Sequence, residues 1–296
     1  MKIIFLGTSA MIPTSERNHT SIFIQHKEEG ILLDCGEGTQ RQMRKAKIAP
    51  SKITKLLISH WHGDHVLGIP GLLQNLGANN YKNTLEIFGP KGSKEYFKNM
   101  MLGFSFQEKI KYKLNEISSG IIFKGKDFRI EAILLNHIIP TIGYSIIENE
   151  RLKINLDYLK KFGLKQHPLL GKLQHGKDIT YNSRKISVKK ATIPIKGKKI
   201  TIIMDTAPCN NIEKLAKDSD LAIIEATFLE NSENGKALAK EYKHLTAKQA
   251  AEIAKQARVK QLALTHFSQR YERKENLLLE EAKKVFKNTI LTHDLM

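Results

Sequence analysis

The chain has 296 residues, 41% of them hydrophobic and 26% charged, the balance of a globular protein with a sizeable core rather than of a disordered or fibrous one. Lysine and arginine number 48 against 30 acidic residues, a formal charge of +18 and a pI near 9.7. A surplus of that size favours a polyanionic partner, nucleic acid ahead of an anionic membrane surface. No apolar run reaches the roughly 18 residues of a membrane span, and Met1–Gly7 reads as a strand too short for a secretory signal. Cys35 and Cys209 are the only cysteines, which excludes a disulfide framework and a zinc site of four thiolates. The expectation is a cytoplasmic protein whose cysteines serve as small buried apolar groups.

The first third alternates short β-rich runs with turn residues. Ile3–Leu6, Ser21–Gln25 and Gly30–Leu33 read as strands, Lys55–Ser59 as a fourth, and Gly71–Leu76 as part of a helix. Phe128–Leu135 places Ile130, Ala132 and Leu134 on one face. From Glu148 to Lys199 the periodicity weakens, and 14 Lys/Arg stand against 4 Asp/Glu. The apolar residues Leu156, Leu159, Phe162, Leu169, Leu170 and Leu173 among these lysines suggest an ordered, protruding arm that grips phosphates rather than a solvated loop. Ile200–Met204, Leu221–Ile224 and Gln261–Leu264 complete the apolar runs. Before the last of them, Thr246–Gln256 reads as a helix: Thr246 and Gln249 fit a capping box, and Ala247, Ala250, Ala251 and Ala254 give a small-residue packing face. Strands interleaved with helices at both ends predict one domain over residues 1–296, with 148–199 as an inserted basic arm.

The sharpest signal is His60-Trp61-His62-Gly63-Asp64-His65, four metal-competent side chains in six positions. Imidazole and carboxylate suit zinc and similar divalent ions, and a cluster this dense can divide between two of them. Gly63 is expected to let the backbone turn tightly. Further ligands should come from polar residues that follow strand-like runs, since such groups converge along a sheet edge. His137, Asp205 and His266 occupy such positions, as does His60.

H-x-H-x-D-H with a later His, Asp and His resembles the ligand set of the metallo-β-lactamase superfamily. By that resemblance the first metal takes His60, His62 and His137, the second takes Asp64, His65 and His266, and Asp205 bridges them. The implied fold is of the α/β (α+β) class, a four-layer αβ/βα sandwich with the site at one edge. Within the superfamily, Phe5–Ala10 and Leu33–Gln40 resemble the opening of ribonuclease Z, the tRNA 3′-processing endoribonuclease. Pro13-Thr14-Ser15-Glu16-Arg17-Asn18 is similar to that family's P-x-K-x-R-N loop, with Ser15 in place of lysine, and the likeness makes Arg17 and Asn18 candidate substrate contacts. Ile224-Glu225-Ala226-Thr227-Phe228 resembles its H-E-A-T segment with Ile224 for histidine, and His244-Leu245-Thr246-Ala247 its H-S-T segment. The basic arm stands where the family inserts its tRNA-gripping arm. Gly163-Leu164, Pro168–Leu173 and Gly176 resemble the tip of that arm, with His167 where glycine is usual, which points to Lys165 and Lys172 as phosphate contacts.

The resemblance implies a two-metal endonuclease that hydrolyses a phosphodiester of precursor tRNA, using two Zn2+ ions per subunit or other divalent ions in their place. Asp64 would also orient the water or take its proton, and His244, held by Glu225, would protonate the departing 3′ oxygen. Cleavage would leave a 3′-hydroxyl on the tRNA and a 5′-phosphate on the trailer. A homodimer, one subunit's arm holding RNA cut by the other, is expected on the same grounds. Two other readings stand beside it: a phosphodiesterase or lactonase of the same superfamily acting on a different or smaller substrate, and a non-enzymatic RNA-binding protein with structural zinc.

Overall fold

A computed structural model of the chain describes residues 1–105 and 110–296. Alternating side chains make the early strands two-faced. In β1 (Lys2–Gly7), Phe5 points to one side while Ile4 and Leu6 point to the other. The chain continues through β2 (Ser21–His26), β3 (Glu29–Leu33), β4 (Ile53–Leu57), β5 (Thr84–Gly89) and β6 (Lys111–Glu116), which lie in that order in one six-stranded sheet. β1 to β3 are antiparallel neighbours. β3 to β6 are parallel, so each connection crosses over through a helix: Thr39–Lys45, Ile69–Ala78 and Ser93–Leu102.

The second sheet begins with β7 (Gly120–Lys124), β8 (Phe128–Leu134) and β9 (Ile142–Glu148). The chain then makes four short strands outside it, β10 (Arg151–Ile154), β11 (Ile179–Tyr181), β12 (Arg184–Ile186) and β13 (Thr192–Ile195). It returns as β14 (Lys199–Ile203), β15 (Leu221–Glu225), β16 (Leu262–Thr265) and β17 (Thr289–Leu291). The seven strands are ordered β17-β16-β15-β14-β9-β8-β7.

The two sheets meet face to face, with Phe5, Ile22, Ile31 and Leu33 of the first packed on the same core as Phe128, Tyr144, Ile202 and Ile223 of the second. The outer face of the first sheet buries Leu72, Leu76 and Phe97 of its helices. The outer face of the second buries Ile212, Ala250, Ala254 and Leu278 from helices Asn210–Ala216, Ala247–Gln256 and Asn276–Lys283. The layers run helix, sheet, sheet, helix, the αβ/βα sandwich expected. Both halves of the capping box at Thr246 and Gln249 are present, and the four alanines of that helix are fully buried.

Residues 151–195 carry separate packing. β10 pairs with β13 and β11 with β12, while Leu159, Leu164, Leu173, Ile179 and Ile186 form a small core with Phe162, Leu169 and Leu170 against it. Leu156 departs from the expected set of anchors: it opens helix Leu156–Lys160 and stays exposed. Leu134 likewise ends β8 exposed rather than continuing its buried face. No helix among the described residues is long and apolar enough to cross a membrane.

β4 stops at Leu57, two residues before the expected Ser59. Past that point the backbone is held from other directions: Ser59 N–H donates to Asp34 Oδ1 (2.7 Å), Tyr144 Oη donates to Ile58 O (2.7 Å), and Ile142 N–H donates to Ser59 O (2.9 Å). The last two bonds run from the second sheet to the end of a strand of the first. Tyr144→Phe should leave the buried Ile58 carbonyl without that donor and cost about 1–3 kcal/mol. Urea unfolding measures it, and an unchanged midpoint would mean that the bond does not hold the sheets together.

Candidate metal centre

The segments that end β3, β4, β8, β14, β15 and β16 share one edge of the sandwich, and the site is made from them. After β4, His60 enters the edge, and His62 caps the helical turn Gly63–Val66, which presents Asp64 and His65. Gly63 opens this turn without a left-handed backbone, so the tight turn expected there is an ordinary helix start. Against this turn, Gly36 and Gly68 tolerate no side chain. A Cβ on Gly36 would lie 2.3 Å from the Asp64 carbonyl oxygen, and one on Gly68 would lie 2.2 Å from the Gly36 oxygen. Glycine there lets the segment after β3 clamp the ligand-bearing turn through Cys35 N–H to His65 O and Gly68 N–H to Cys35 O, both 2.8 Å.

Ligand atoms of His60, His62, His137 and Asp205 lie within 4.8 Å of one another, and so do those of Asp64, His65, Asp205 and His266. Asp205 belongs to both sets, and six of the seven residues are buried, His62 partly. Ring nitrogens face each other at short range: His60 Nε2 and His62 Nδ1 at 3.0 Å, His65 Nε2 and His266 Nε2 at 3.2 Å, His62 Nδ1 and His137 Nε2 at 3.3 Å. Asp64 Oδ1 and Asp205 Oδ1 are buried with no hydrogen-bond partner. A buried acceptor left without a donor costs about 1–3 kcal/mol. Cations satisfy converging lone pairs and orphaned carboxylate oxygens together, so the donor set fits divalent metal ions.

The imidazoles are aimed by what their other nitrogens do. His65 Nδ1 donates to Asp34 Oδ2 (2.8 Å), and Ser59 Oγ donates to the same oxygen (2.7 Å). The Ser59 oxygen is therefore free to accept from His60 Nδ1 (3.0 Å). His137 Nδ1 donates to Lys243 O (3.0 Å). Thr227 Oγ1 donates to Glu225 Oε2 and accepts from His266 Nδ1 (3.0 Å). Each of these bonds selects the tautomer that turns Nε2 inward.

Glu225, fully buried at the end of β15, accepts from Thr206 N–H (2.8 Å) and from His244 Nδ1 (3.0 Å) through Oε1. Burial works against charge on His244, but the carboxylates of Glu225 and Asp205 raise its pKa to about 9. Two divalent ions beside it would act in the opposite direction. Burial pushes His60 well below its ordinary value, and His65 adds to the effect. Burial also opposes the charges of Asp64 and Asp205, yet the surrounding imidazoles lower both carboxyl groups below the usual range.

His60, His62, Asp64, His65, His137, Asp205, Glu225, His244 and His266 thus come together at one edge of the sandwich. Arg17 does not join them. Its guanidinium is buried and committed to Glu275 (2.8 Å), Thr8 Oγ1 (2.7 Å) and Thr292 O (2.8 Å), so it fixes its loop from inside. Asn18 spends its amide on Glu37 O (2.6 Å). Lys165 and Lys172 are exposed within residues 151–195 and do not line the cavity over the clustered histidines. Asp34, Thr227 and the Lys243 carbonyl went unassigned in the sequence. Asp34 and Thr227 stood inside quoted motifs, but their acceptor roles depend on strand pairing.

Comparison with solved structures agrees with this geometry. YhfI from Bacillus subtilis, a metallo-β-lactamase fold protein, aligns with a TM-score of 0.71 over 99% of this chain and 96% of its own, at 16% identity. The short form of human tRNase Z aligns with a TM-score of 0.72 at 28% identity, covering 100% of this chain and 98% of the other. Fold and site together define a metal-dependent hydrolase of the metallo-β-lactamase class. Full-length relatives narrow the class. Ribonuclease Z of Methanothermobacter thermautotrophicus is 39% identical over 297 residues, spanning all of this chain and 95% of the relative. Ribonuclease Z of Listeria welshimeri is 39% identical over 302 residues, spanning all of this chain and 98% of the relative. A family model described as "Anti-Pycsar protein Apyc1" also takes in this chain over residues 1–170, a stretch that ends before Asp205, Glu225, His244 and His266. The end-to-end matches include those residues, and the chain belongs to the ribonuclease Z family.

Asp34→Asn preserves shape but replaces one acceptor oxygen with a donor, which turns His65 out of its tautomer. Affinity for the cation on the Asp64 side should fall about 10- to 100-fold with the fold intact. Calorimetric Zn2+ titration of the metal-free protein reads this, and wild-type affinity in the variant would remove Asp34 from the account.

Proposed function

We propose that this protein is the endoribonuclease that removes the 3′ trailer from precursor tRNA, leaving a 3′-hydroxyl on the tRNA and a 5′-phosphate on the trailer. The observation that carries the reading is the pair of ligand sets sharing Asp205, with the Glu225–His244 pair beside them, in a chain that aligns end to end with ribonucleases Z. His60, His62 and His137 would hold one Zn2+, and Asp64, His65 and His266 a second, with Asp205 serving both. Once bound, these ions supply Lewis acidity toward water and toward the phosphate oxygens.

The chain's own groups account for the proton movements. Asp64, whose Oδ1 has no donor, accepts the proton of the attacking water. As the new oxygen–phosphorus bond forms, the bond to the tRNA 3′ oxygen breaks and leaves its electron pair there. His244, oriented by Glu225, delivers a proton to that oxygen. Exposed arm lysines, Lys165 and Lys172 among them, take the RNA backbone by counterion release, reading shape more than sequence. Loop 13–18 meets the end of the acceptor stem, with Asn18 on it and Arg17 acting through the loop's shape. The working form is a cytoplasmic homodimer in which one subunit's arm holds RNA cut by the other.

The test uses end-labelled precursor tRNA with a 3′ trailer. The metal-loaded protein should make one cut near the acceptor-stem end, and Asp64→Ala should make none; an intact precursor with wild-type protein sinks the assignment and leaves a hydrolase of another substrate. His244→Ala should lower kcat about 10²- to 10⁴-fold. A 3′-bridging sulfur at the cut, which departs as a thiolate without needing a proton, should restore most of that loss, and a failure to restore it would take the proton-donor role from His244. Lys165→Ala and Lys172→Ala should each reduce the salt-dependence slope of tRNA binding by about one, roughly equally for all tRNA sequences. Unchanged slopes in filter-binding titrations would place the phosphate contacts elsewhere.

A further inference from the structure

The cavity above the metal ligands has a volume of about 430 Å³, with His62, Asp64, His137, Asp205 and His266 among its walls. It lies within the roughly 300–1,000 Å³ range of small-molecule sites, a compartment for a nucleotide rather than for a duplex. Hydrolysis of a phosphodiester asks only for polar and charged groups there. Yet Met11, Ile12, Ile138 and Tyr242 line the same cavity while 56%, 51%, 57% and 44% exposed. Exposed apolar groups gathered at one mouth mark a contact surface.

These side chains stand on fixed backbone. The Met11 carbonyl lies 3.0 Å from His19 Nε2, the Ile12 carbonyl accepts from Ser9 Oγ (2.8 Å), and Ala10 N–H donates to Phe267 O (3.0 Å). Ile138 follows a histidine braced at both ends, its Nδ1 on Lys243 O and its carbonyl accepting from Lys243 Nζ (3.2 Å). Tyr242 closes helix Gly235–Tyr242. Arg270 lines the cavity too, and among the described residues its guanidinium pairs with no carboxylate. An apolar rim with an aromatic face, an unpaired cation and a floor of metal ligands matches the parts of a single unpaired nucleotide: a base to stack and a phosphate to hold.

We infer that Met11, Ile12, Ile138 and Tyr242 form a subsite for an unpaired nucleobase next to the scissile phosphate, with Arg270 on a neighbouring phosphate. The subsite rests on the endoribonuclease reading above and adds to it a requirement for an unstacked base. It admits a single-stranded extension to the ligands and turns a paired stem away.

Two readouts separate its failure from failure of that reading. In the first, precursor tRNA is compared with the same RNA carrying abasic residues on both sides of the cut. Wild type should show a KM about tenfold or more higher on the abasic RNA. Tyr242→Ala and Ile12→Ser should raise KM on the natural RNA by a similar factor and lose the discrimination, while Tyr242→Phe keeps both values. Variants that retain wild-type KM and discrimination overturn the subsite. The second readout needs no cleavage: 2-aminopurine in a short single-stranded RNA should be quenched on binding the metal-loaded protein, and less so on Tyr242→Ala. Absence of quenching overturns the subsite even if tRNA is cut, whereas quenching with uncut tRNA keeps the subsite and sinks the parent reading. If the same variants change sedimentation but leave both readouts alone, the rim is a contact between copies of the chain and not a base site.

Discussion

The centre depends on one repeated interaction, the donation of an imidazole's outer nitrogen to a buried protein acceptor. His60, His65, His137 and His266 each make it, to Ser59, Asp34, the Lys243 carbonyl and Thr227. Without that bond a neutral imidazole would be free to rotate or to exchange tautomers, and its lone pair would have no fixed direction. With it, the inner nitrogens of separate segments are forced to within contact of one another. Much of the edge architecture supplies those acceptors: the glycine-lined clamp behind Asp34, the Thr227–Glu225 bond and the loop that turns the Lys243 carbonyl toward His137.

Three residues that build the centre also carry backbone strain. Asp34, Lys243 and His266 have φ values of 55°, 54° and 61°, in the left-handed region that favours glycine. Each such residue costs about 1–3 kcal/mol unless its surroundings over-determine it. Here the surroundings do so through hydrogen bonds at both ends of the strained residue or of its partner. Glu225 illustrates the economy of the arrangement. One buried carboxylate holds Thr206, orients His244 and, through Thr227, aims His266, so two imidazoles of the site share one support.

The candidate ligands were legible in the sequence because H-x-H-x-D-H compresses four of them into six residues, and because His137, Asp205 and His266 each stand just beyond an apolar run. The four-layer fold was implied by the resemblance those residues carry, while the chain's own pattern indicated only strands interleaved with helices at both ends. What escaped was whatever depends on a partner far along the chain. The end of β4 falls short of the expected Ser59 because the apolar, β-compatible Ile58 and the Ser59 after it bond to Tyr144, Ile142 and Asp34 instead of continuing the strand. Arg17 entered as a substrate contact through the resemblance of residues 13–18 to the P-x-K-x-R-N loop, and nothing local reveals Glu275, 258 positions away, as the partner of its guanidinium. The region from 151 to 195 resisted a periodic reading because strands of three or four residues are too short to show a period.

The spread of the ligands along the chain also orders events during synthesis. Asp64 and His266, which face each other at 3.4 Å, are 202 positions apart, and the most basic stretch lies between them. As the chain leaves the ribosome, its N-terminal sheet and positive charge are made first. The second ligand set closes only after β16 has emerged and paired beside β15. A growing chain therefore passes through the most RNA-dense surroundings in the cell while its metal centre is still incomplete.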